Sequence, residues 1–316
     1  MTWGSSNTLQ EIINKMEELA NQSISTRMSW GSSESLDSLK NFITNTYPKA
    51  KNVTVKSSGG DYTTITDALN SETGQPYAPV TILIDSGTYN EGNLPLKNYV
   101  NLIGVDRDSV IINYNGVQGD EVNQHVFGNT SAICTIKNLT AKGEYVKYVL
   151  HVDAGGESDI LLEQVKFEKI GNAANYCAAI GFGLSGGQRL SIINSELIGT
   201  TNSSEQLGAI FGHNWDNQNG NVILRIENCY LHGANSGLEL FSLGSNAADL
   251  LILRGNKISG TNADIVFSRL TEYGYNQDDW NIIAEGNEID NIGQLNGSTL
   301  TFTQPSITVN PGTIAL

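Results

Sequence analysis

Two carboxylates, Glu239 and Asp264, have the type and spacing that acid–base chemistry needs. Asp264 follows Glu239 at an interval close to one coil of the repeat described below. Coils of that kind stack about 4.8 Å apart, so side chains at equal heights on neighbouring coils become close neighbours. Paired carboxylates serve the hydrolysis of esters and glycosides. The pair predicts a hydrolytic site, and the alternative is that both carboxylates are solvated on a sheet face.

Polar and aromatic residues around this pair are typical of sugar binding. Flat aromatic rings stack on sugars, while neighbouring polar groups bind the hydroxyls. The predicted ligand-binding residues are His213, Trp215, Asp216, Tyr273, Tyr275 and Trp280. The alternative is that the aromatic residues pack loops onto the fold. Further candidates for chemistry are His151, Asp153, Arg269, Glu272, Asp278 and Asp279. We predict no metal site and no cofactor.

An internal repeat between Cys134 and Asn291 must position these residues. Each copy has apolar residues four and two positions before a turn, an apolar residue three after it, and usually Gly five after it. Six copies follow one another, with the turn residues Asn138, Gln164, Asn194, Asn228, Gly255 and Gly286. Their intervals fall within the range of roughly 20–50 residues that is typical of stacked repeats. Asn and Gly tolerate a left-handed backbone. Each copy therefore predicts two strands joined by a left-handed turn, and stacked copies predict a parallel β-helix.

The segments on either side of these copies fall into three predicted regions. Gly104 precedes Asn138 by the length of one repeat and extends the turn column upstream. A short helix containing Ile65, Ala68 and Leu69 is predicted with Thr63 or Thr64 as its cap. Residues 51–295 are the predicted β-helix, and residues 296–316 a C-terminal β cap or an inter-subunit contact.

Residues 1–50 contain a duplicated Trp-Gly-Ser-Ser motif, beginning at Trp3 and at Trp30. Each copy runs into an amphipathic helical pattern too short to be stable alone. We expect a short α-helical segment that serves oligomerisation or attachment, with a simple cap of the β-helix as the alternative.

Composition and charge limit the possible functions. The net charge of −15 disfavours binding to nucleic acid or to an anionic membrane. No apolar run is long enough to predict membrane insertion, and no secretory signal is expected from the N-terminus. The three cysteines lack metal-type spacing, and Cys134 is predicted to be a core residue.

The run Gly59-Gly-Asp-Tyr62, Ile82-Leu-Ile-Asp-Ser-Gly-Thr-Tyr89 and Asn101-Leu-Ile-Gly104 resembles the opening of the pectin-lyase-like superfamily, and most of all its pectin methylesterase branch. The chain is also similar to the β-helices of bacteriophage tailspikes and surface adhesins. The resemblance covers roughly residues 52–295. It implies an all-β fold, a right-handed single-stranded parallel β-helix with three sheets per coil and roughly 8–10 coils. It also implies first-sheet strands at Tyr148–Val152, Ala178–Phe182, Gly208–Gly212, Leu238–Phe241 and Ile265–Phe267.

The resemblance also implies catalytic roles, although two family motifs are missing. Asp264 would be the nucleophile-like carboxylate, Glu239 the acid/base, and Arg269 a poor substitute for the family's arginine. The Gln-Asp-Thr-Leu type motif is absent, since the chain reads Gly237-Leu-Glu-Leu240, and so is the Gly-Arg-Pro-Trp type motif.

Two functions follow from these patterns. The preferred one is a carbohydrate-binding structural or receptor-binding protein of a phage tail or appendage. It would bind a cell-surface polysaccharide along the first-sheet groove, form a homo-oligomer such as a trimer, contact a virion or tail partner through residues 1–50, and lie on a virion or extracellular surface. The alternative is a polysaccharide-active enzyme, a carbohydrate esterase or depolymerase, that uses the paired carboxylates.

Overall fold

The structure is a computed structural model of the 316-residue chain. The residues it describes are 49–129, 132–153, 158–171, 177–184, 186–200, 207–214, 222–242, 249–261, 263–269, 281–289, 292–295, 301–302 and 307–309. The helices predicted within residues 1–48 lie outside this part of the chain.

The described strands, numbered along the chain, form three parallel sheets. The first sheet contains β4 (Leu94–Pro95), β7 (His125–Asn129), β10 (Tyr148–Asp153), β13 (Cys177–Leu184), β16 (Leu207–Asn214), β19 (Ser236–Ser242), β22 (Ala263–Arg269) and β25 (Ile292–Leu295). The second contains β1 (Lys51–Val55), β2 (Val80–Ile84), β5 (Val100–Gly104), β8 (Ile133–Lys137), β11 (Asp159–Glu163), β14 (Arg189–Ile193), β17 (Ile223–Glu227), β20 (Leu250–Arg254), β23 (Asn281–Glu285) and β26 (Thr301–Phe302). The third contains β3 (Gly87–Tyr89), β6 (Val110–Asn115), β9 (Thr140–Glu144), β12 (Lys166–Ile170), β15 (Glu196–Thr200), β18 (Tyr230–Gly233), β21 (Lys257–Gly260), β24 (Asn287–Ile289) and β27 (Ile307–Val309).

Strand order shows how the chain winds. From β2 onward, successive members of each sheet are separated in sequence by strands of the other two sheets. The chain therefore passes from sheet to sheet and stacks each coil on the previous one. The three-sheet parallel β-helix predicted from the sequence is therefore confirmed. All five predicted first-sheet strands lie within β10, β13, β16, β19 and β22.

The turn column joins the second sheet to the third through left-handed residues. The φ angles are 53° at Asn138, 54° at Gln164, 52° at Asn194, 53° at Asn228, 60° at Gly255 and 62° at Gly286. This confirms the predicted conformation in all six copies. The predicted extension of the turn column to Gly104 is wrong in one respect, because Gly104 ends β5 and does not have a positive φ. Glycine is needed there for space, since a Cβ would lie 2.1 Å from the carbonyl oxygen of Asn138.

Inward-facing side chains of stacked coils form one continuous core. In the second sheet, Cys134, Ile160 and Leu190 are paired in register, and all are buried. Burial raises the pKa of the Cys134 thiol to about 12, as expected for a core cysteine. Each buried Leu or Ile of such a column contributes about 1.5–3 kcal/mol relative to an exposed one. The prediction that Cys134 is a core residue is confirmed.

The short helix α1 (Ile65–Ser71) packs against β1 and β4. Its N-cap is Thr64, whose hydroxyl accepts a hydrogen bond from the Asp67 amide at 3.0 Å. The Glu91 carboxylate accepts two further bonds, from the amides of Ile65 at 2.9 Å and Thr66 at 2.7 Å. These bonds satisfy amides that a helix start leaves without intrahelical partners. A 3-10 turn (Glu121–Asn123) precedes β7.

Lys169 is one of several charged residues that are buried in the described part of the chain. It pairs in register with Gly143 and Gly199 in the third sheet and is fully buried. Its ammonium donates to the carbonyl oxygen of Ile170 at 2.7 Å, and burial lowers its pKa.

Strands β26 and β27 pair in parallel with β23 and β24 and extend the second and third sheets by one step. The division into residues 1–50, 51–295 and 296–316 stays a prediction.

Candidate functional site

The outer face of the first sheet brings several polar residues into register. Along β10, Leu150 and Val152 point into the core, so His151 between them points outward. His151 pairs with Gly128 on one side and Gly181 on the other, and Gly181 pairs with Phe211. The register therefore fixes the position of each outward side chain relative to the neighbouring coils.

Two rings lie close to the ring of His151. The Tyr148 ring lies 4.9 Å from it, and the His125 ring 6.0 Å from it, both measured between centroids. Tyr148 is buried and covers Gly181, where an added Cβ would lie 2.3 Å from the tyrosine ring. The Lys147 ammonium lies 5.2 Å from the centre of that ring. Glycine at position 181 is therefore what allows the tyrosine to form the floor of the cluster.

A carboxylate orients His151. Its Nε2 lies 3.2 Å from Oδ2 of Asp153, which projects from the same face two residues later. The hydrogen bond from His151 lowers the pKa of Asp153, and the charges of His151, His213 and Lys147 act in the same direction. The side chains of His151 and Asp153 are 30% and 46% exposed, so solvent and a ligand can reach both.

His125 completes the cluster from the preceding coil. It pairs in register with Tyr148. Burial lowers the pKa of His125, and the nearby His151 lowers it further, so protonation of this ring is disfavoured. We name His125, Tyr148, His151, Asp153 and His213 the histidine face. It contains three of the chain's four histidines.

His213, predicted as a ligand-binding residue, reaches this face from two coils away. It lies on β16 and pairs with Gly183, which in turn pairs with Asp153. Because a glycine stands between them, no side chain separates His213 from Asp153 along this column. The effect of His213 on the pKa of Asp153 is consistent with that proximity.

Glu239 is placed further along the same outer face. It pairs with Phe211 and is only 2% exposed. Ser236 donates a hydrogen bond from Oγ to Glu239 Oε2 at 3.2 Å. Burial raises the pKa of this carboxyl group, because the charged form loses its hydration.

Asp264 does not stand at the height of Glu239. The register pairs Glu239 with Val266, and Asp264 precedes Val266 by two positions. Two positions along a strand amount to roughly 6.6 Å. Asp264 is 5% exposed, and its Oδ1 accepts a bond from the Gly260 amide at 2.9 Å. Neither carboxylate is solvated, so the alternative of two exposed side chains is wrong, and so is the equal-height spacing.

The remaining predicted site residues are only partly described. Arg269 ends β22 and pairs with Ser242, three positions beyond the register of Glu239. Trp215, Asp216, Tyr273, Tyr275 and Trp280 lie outside the described residues. In the part of the chain that is described, no group of three or more His, Cys, Asp or Glu side chains is arranged to hold a metal ion. No helix in that part has the length and apolarity that a membrane crossing requires.

Sequence reasoning missed His125 and Tyr148, and it noted His151 and Asp153 only as further candidates. One signal in the sequence indicated that His125 and His151 are related. The sequence interval from His125 to His151 equals the interval from Asn138 to Gln164 in the turn column. Applied upstream of Cys134, this interval would have placed His125 and His151 on neighbouring coils, although the register pairs His125 with Tyr148 and His151 with Gly128.

Comparison with known proteins gives similarity to solved pectin methylesterases. No family model matches the sequence, and no curated protein matches it. Pectin methylesterase PemA from Erwinia chrysanthemi is 16% identical, with a TM-score of 0.46 over 79% of this chain and 81% of that one. Pectin methylesterase from carrot is 14% identical, with a TM-score of 0.33 over 71% and 89%. The order of its three parallel sheets gives the described part of the chain a parallel β-helix fold.

Proposed function

We propose that this protein binds a cell-surface polysaccharide along the outer face of the first sheet, as a receptor-binding or structural protein of a phage tail or appendage. The observation that carries the proposal is the histidine face, where imidazole and carboxylate groups project together above Gly181 and Gly183. Such groups donate and accept hydrogen bonds at neutral pH and suit sugar hydroxyls.

The outer faces of the other two sheets support this choice by contrast. In the second sheet, Lys137 pairs with Glu163 at 2.9 Å. In the third sheet, Lys142 pairs with Glu168 at 2.8 Å across neighbouring coils. In both pairs a charged group is matched by a partner of opposite charge on the next strand. The histidine face instead presents partly exposed polar groups of mixed type, which leaves it the better surface for a neutral ligand.

The assembly is part of the same proposal. The duplicated motif of residues 1–50 forms a homotrimer and attaches it to a virion or tail partner, so that three histidine faces act together on an extracellular surface. Multivalent presentation raises the apparent affinity for a repeating polymer without new contacts.

A glycan array followed by titration calorimetry tests the proposal. We expect wild-type protein to retain one class of bacterial surface polysaccharide, and the double variant His151→Ala/Asp153→Asn to lose at least ~10-fold in affinity. The matched control is His232→Ala, because His232 lies in the third sheet, bonded to Ser259 at 2.9 Å. Equal binding by both variants, or no binding to any glycan, would refute the proposal.

Light scattering tests the assembly. A trimer has three times the 34.1 kDa mass of the chain. A monomer at micromolar concentration would contradict the trimer, whereas glycan binding by the histidine face is tested separately by the array.

A further inference from the structure

The His151–Asp153 pair has the geometry of a general base with its orienting carboxylate. Nε2 of the imidazole is held 3.2 Å from Asp153 Oδ2, which leaves Nδ1 as the nitrogen that can accept a proton. The ring is 30% exposed, so water reaches it. A carboxylate in this position fixes the tautomer and stabilises the imidazolium that forms when the base takes a proton.

The groups around the pair also suit chemistry at a carbonyl. They come from three strands: His125 from β7, Tyr148 from β10 and His213 from β16, with Lys147 directly before β10. Lys147 is a cation held above the Tyr148 ring. A cation beside a dyad stabilises the negative charge that develops on a carbonyl oxygen under attack.

Cleavage of a glycosidic bond fits the described residues less well. It requires two carboxyl groups on opposite sides of the bond, in most families about 5–9.5 Å apart. Glu239 and Asp264 are only 2% and 5% exposed, and both carboxylates accept bonds within their own coil, so neither is open to a bound substrate. Ester hydrolysis requires only one base, one water molecule and a stabilised oxyanion.

We propose that His151 and Asp153 form a general-base dyad that hydrolyses an ester substituent, such as an acetyl group, on a bound glycan. This inference deepens the proposed function and rests on it for the nature of the substrate. His151 is the catalytic residue and Asp153 its positioning residue. The assignment uses side chains other than the Glu239 and Asp264 pair suggested by sequence.

The step balances without a further reactant. His151 Nδ1 takes a proton from water as the water oxygen attacks the ester carbonyl carbon. The tetrahedral intermediate collapses, the C–O bond to the sugar breaks, and the alkoxide takes that proton from His151. The products are a carboxylic acid and a free sugar hydroxyl, and the imidazole is again neutral.

The test uses the full-length protein with two probes, p-nitrophenyl acetate and O-acetylated xylan. We expect His151→Gln to lower kcat/KM for p-nitrophenyl acetate by ~100-fold, within the usual contribution of a general base. Asp153→Asn should lower kcat ~10-fold with KM unchanged, because it leaves the imidazole in place without its orienting carboxylate. His232→Ala is the control histidine and should match wild type. Circular dichroism checks that each variant is folded.

The pH profile adds a readout that a structural role would not change. The wild-type rate should depend on pH, and this dependence should vanish in His151→Gln. His125 and His213 are the other imidazoles on this face, so single His125→Gln and His213→Gln variants should retain the pH dependence.

Each possible result either supports or overturns the dyad. Turnover in His151→Gln equal to wild type, a loss of the same size in His232→Ala, or no acetate release from either probe would overturn the dyad. Glycan binding is measured on the same samples. Binding without turnover overturns the dyad and leaves the proposed function intact, whereas turnover of p-nitrophenyl acetate without glycan binding overturns the proposed function and supports the dyad.

Discussion

Replacing Gln164 by glycine should stabilise the protein. Gln164 holds the left-handed turn between β11 and β12 at φ 54°, a conformation that is unfavourable for any residue with a Cβ. Its side chain is exposed. Its amide donates to the carbonyl oxygen of Ile193 at 3.1 Å, and glycine keeps that bond. The substitution therefore removes strain and costs no contact to the core.

The magnitude follows from two opposing effects. A left-handed backbone costs an ordinary residue roughly 1–2 kcal/mol, while the greater freedom of glycine in the unfolded chain costs about 0.5–1 kcal/mol. The net gain is about 0.5–1 kcal/mol. For 316 residues, an unfolding entropy of about 2.1 cal/mol/K per residue converts this into a rise in Tm of about 1 °C.

The reverse change provides the matched comparison. Gly286 has φ 62°, and no atom lies within 4 Å of an added Cβ, so Gly286→Ala isolates the backbone strain. It should destabilise by about 0.5–1 kcal/mol. At Gly255 the Cβ would lie 2.6 Å from Asn228 Oδ1, so Gly255→Ala should cost more. Gln164→Ala keeps a Cβ in the same conformation and should change little.

Thermal unfolding by circular dichroism and urea titration gives the global values. Hydrogen exchange of amides in β11 and β12 gives the local one, since coils of a solenoid contact only their neighbours. The reasoning fails if Gln164→Gly and Gly286→Ala shift stability in the same direction, or if Gln164→Ala matches Gln164→Gly.

Three further predictions concern buried groups. Glu239→Gln should stabilise the protein by an amount that grows as pH rises. Burial raises the pKa of Glu239, so the stability that this carboxyl group contributes is fully present below the unfolded pKa and is lost as pH rises through the folded pKa. Thermal melts from pH 4 to 8 with no widening gap in Tm between variant and wild type would contradict this. All three cysteines are buried thiols, and burial raises the pKa of Cys229 to about 11. Ellman's reagent should find no reactive thiol in the native protein and three after denaturation, and a native reading of one or more refutes this prediction. Phe167→Ala should cost ~3–5 kcal/mol in urea unfolding, because this fully buried ring lies 5.8 Å from Phe127, and a loss under ~1 kcal/mol would show that the core collapses around the gap.

The fold could be predicted because its determinants are local. A left-handed turn selects Asn or Gly by residue type, and the apolar columns on either side repeat at fixed offsets. Gln164 is not a typical turn residue, and its place in the column follows from register alone. Gly104 shows the limit of that reasoning, because its sequence spacing was right while its glycine serves a close approach of Asn138 and not a left-handed φ.

The site could be predicted less well because it depends on coil length. Loops of different length separate the strands, so a sequence interval does not give a height on the stack. Glu239 and Asp264 are separated by nearly one coil, yet the register between β19 and β22 pairs Glu239 with Val266 and leaves Asp264 displaced by two positions. Burial was equally hidden, since nothing in the local sequence of Glu239 or Lys169 indicates that these charged residues are enclosed.

Two glycines allow rings to pack flat on the outer face of the first sheet. On this face a Cβ at Gly128 would lie 2.2 Å from the His125 ring, and one at Gly181 would lie 2.3 Å from the Tyr148 ring. Each ring therefore packs flat against the backbone. His151 lies beside both rings, and Asp153 lies next to His151. A side chain at either glycine would displace a ring without altering any polar group. The geometry of the histidine face therefore depends on its glycines as much as on its imidazoles.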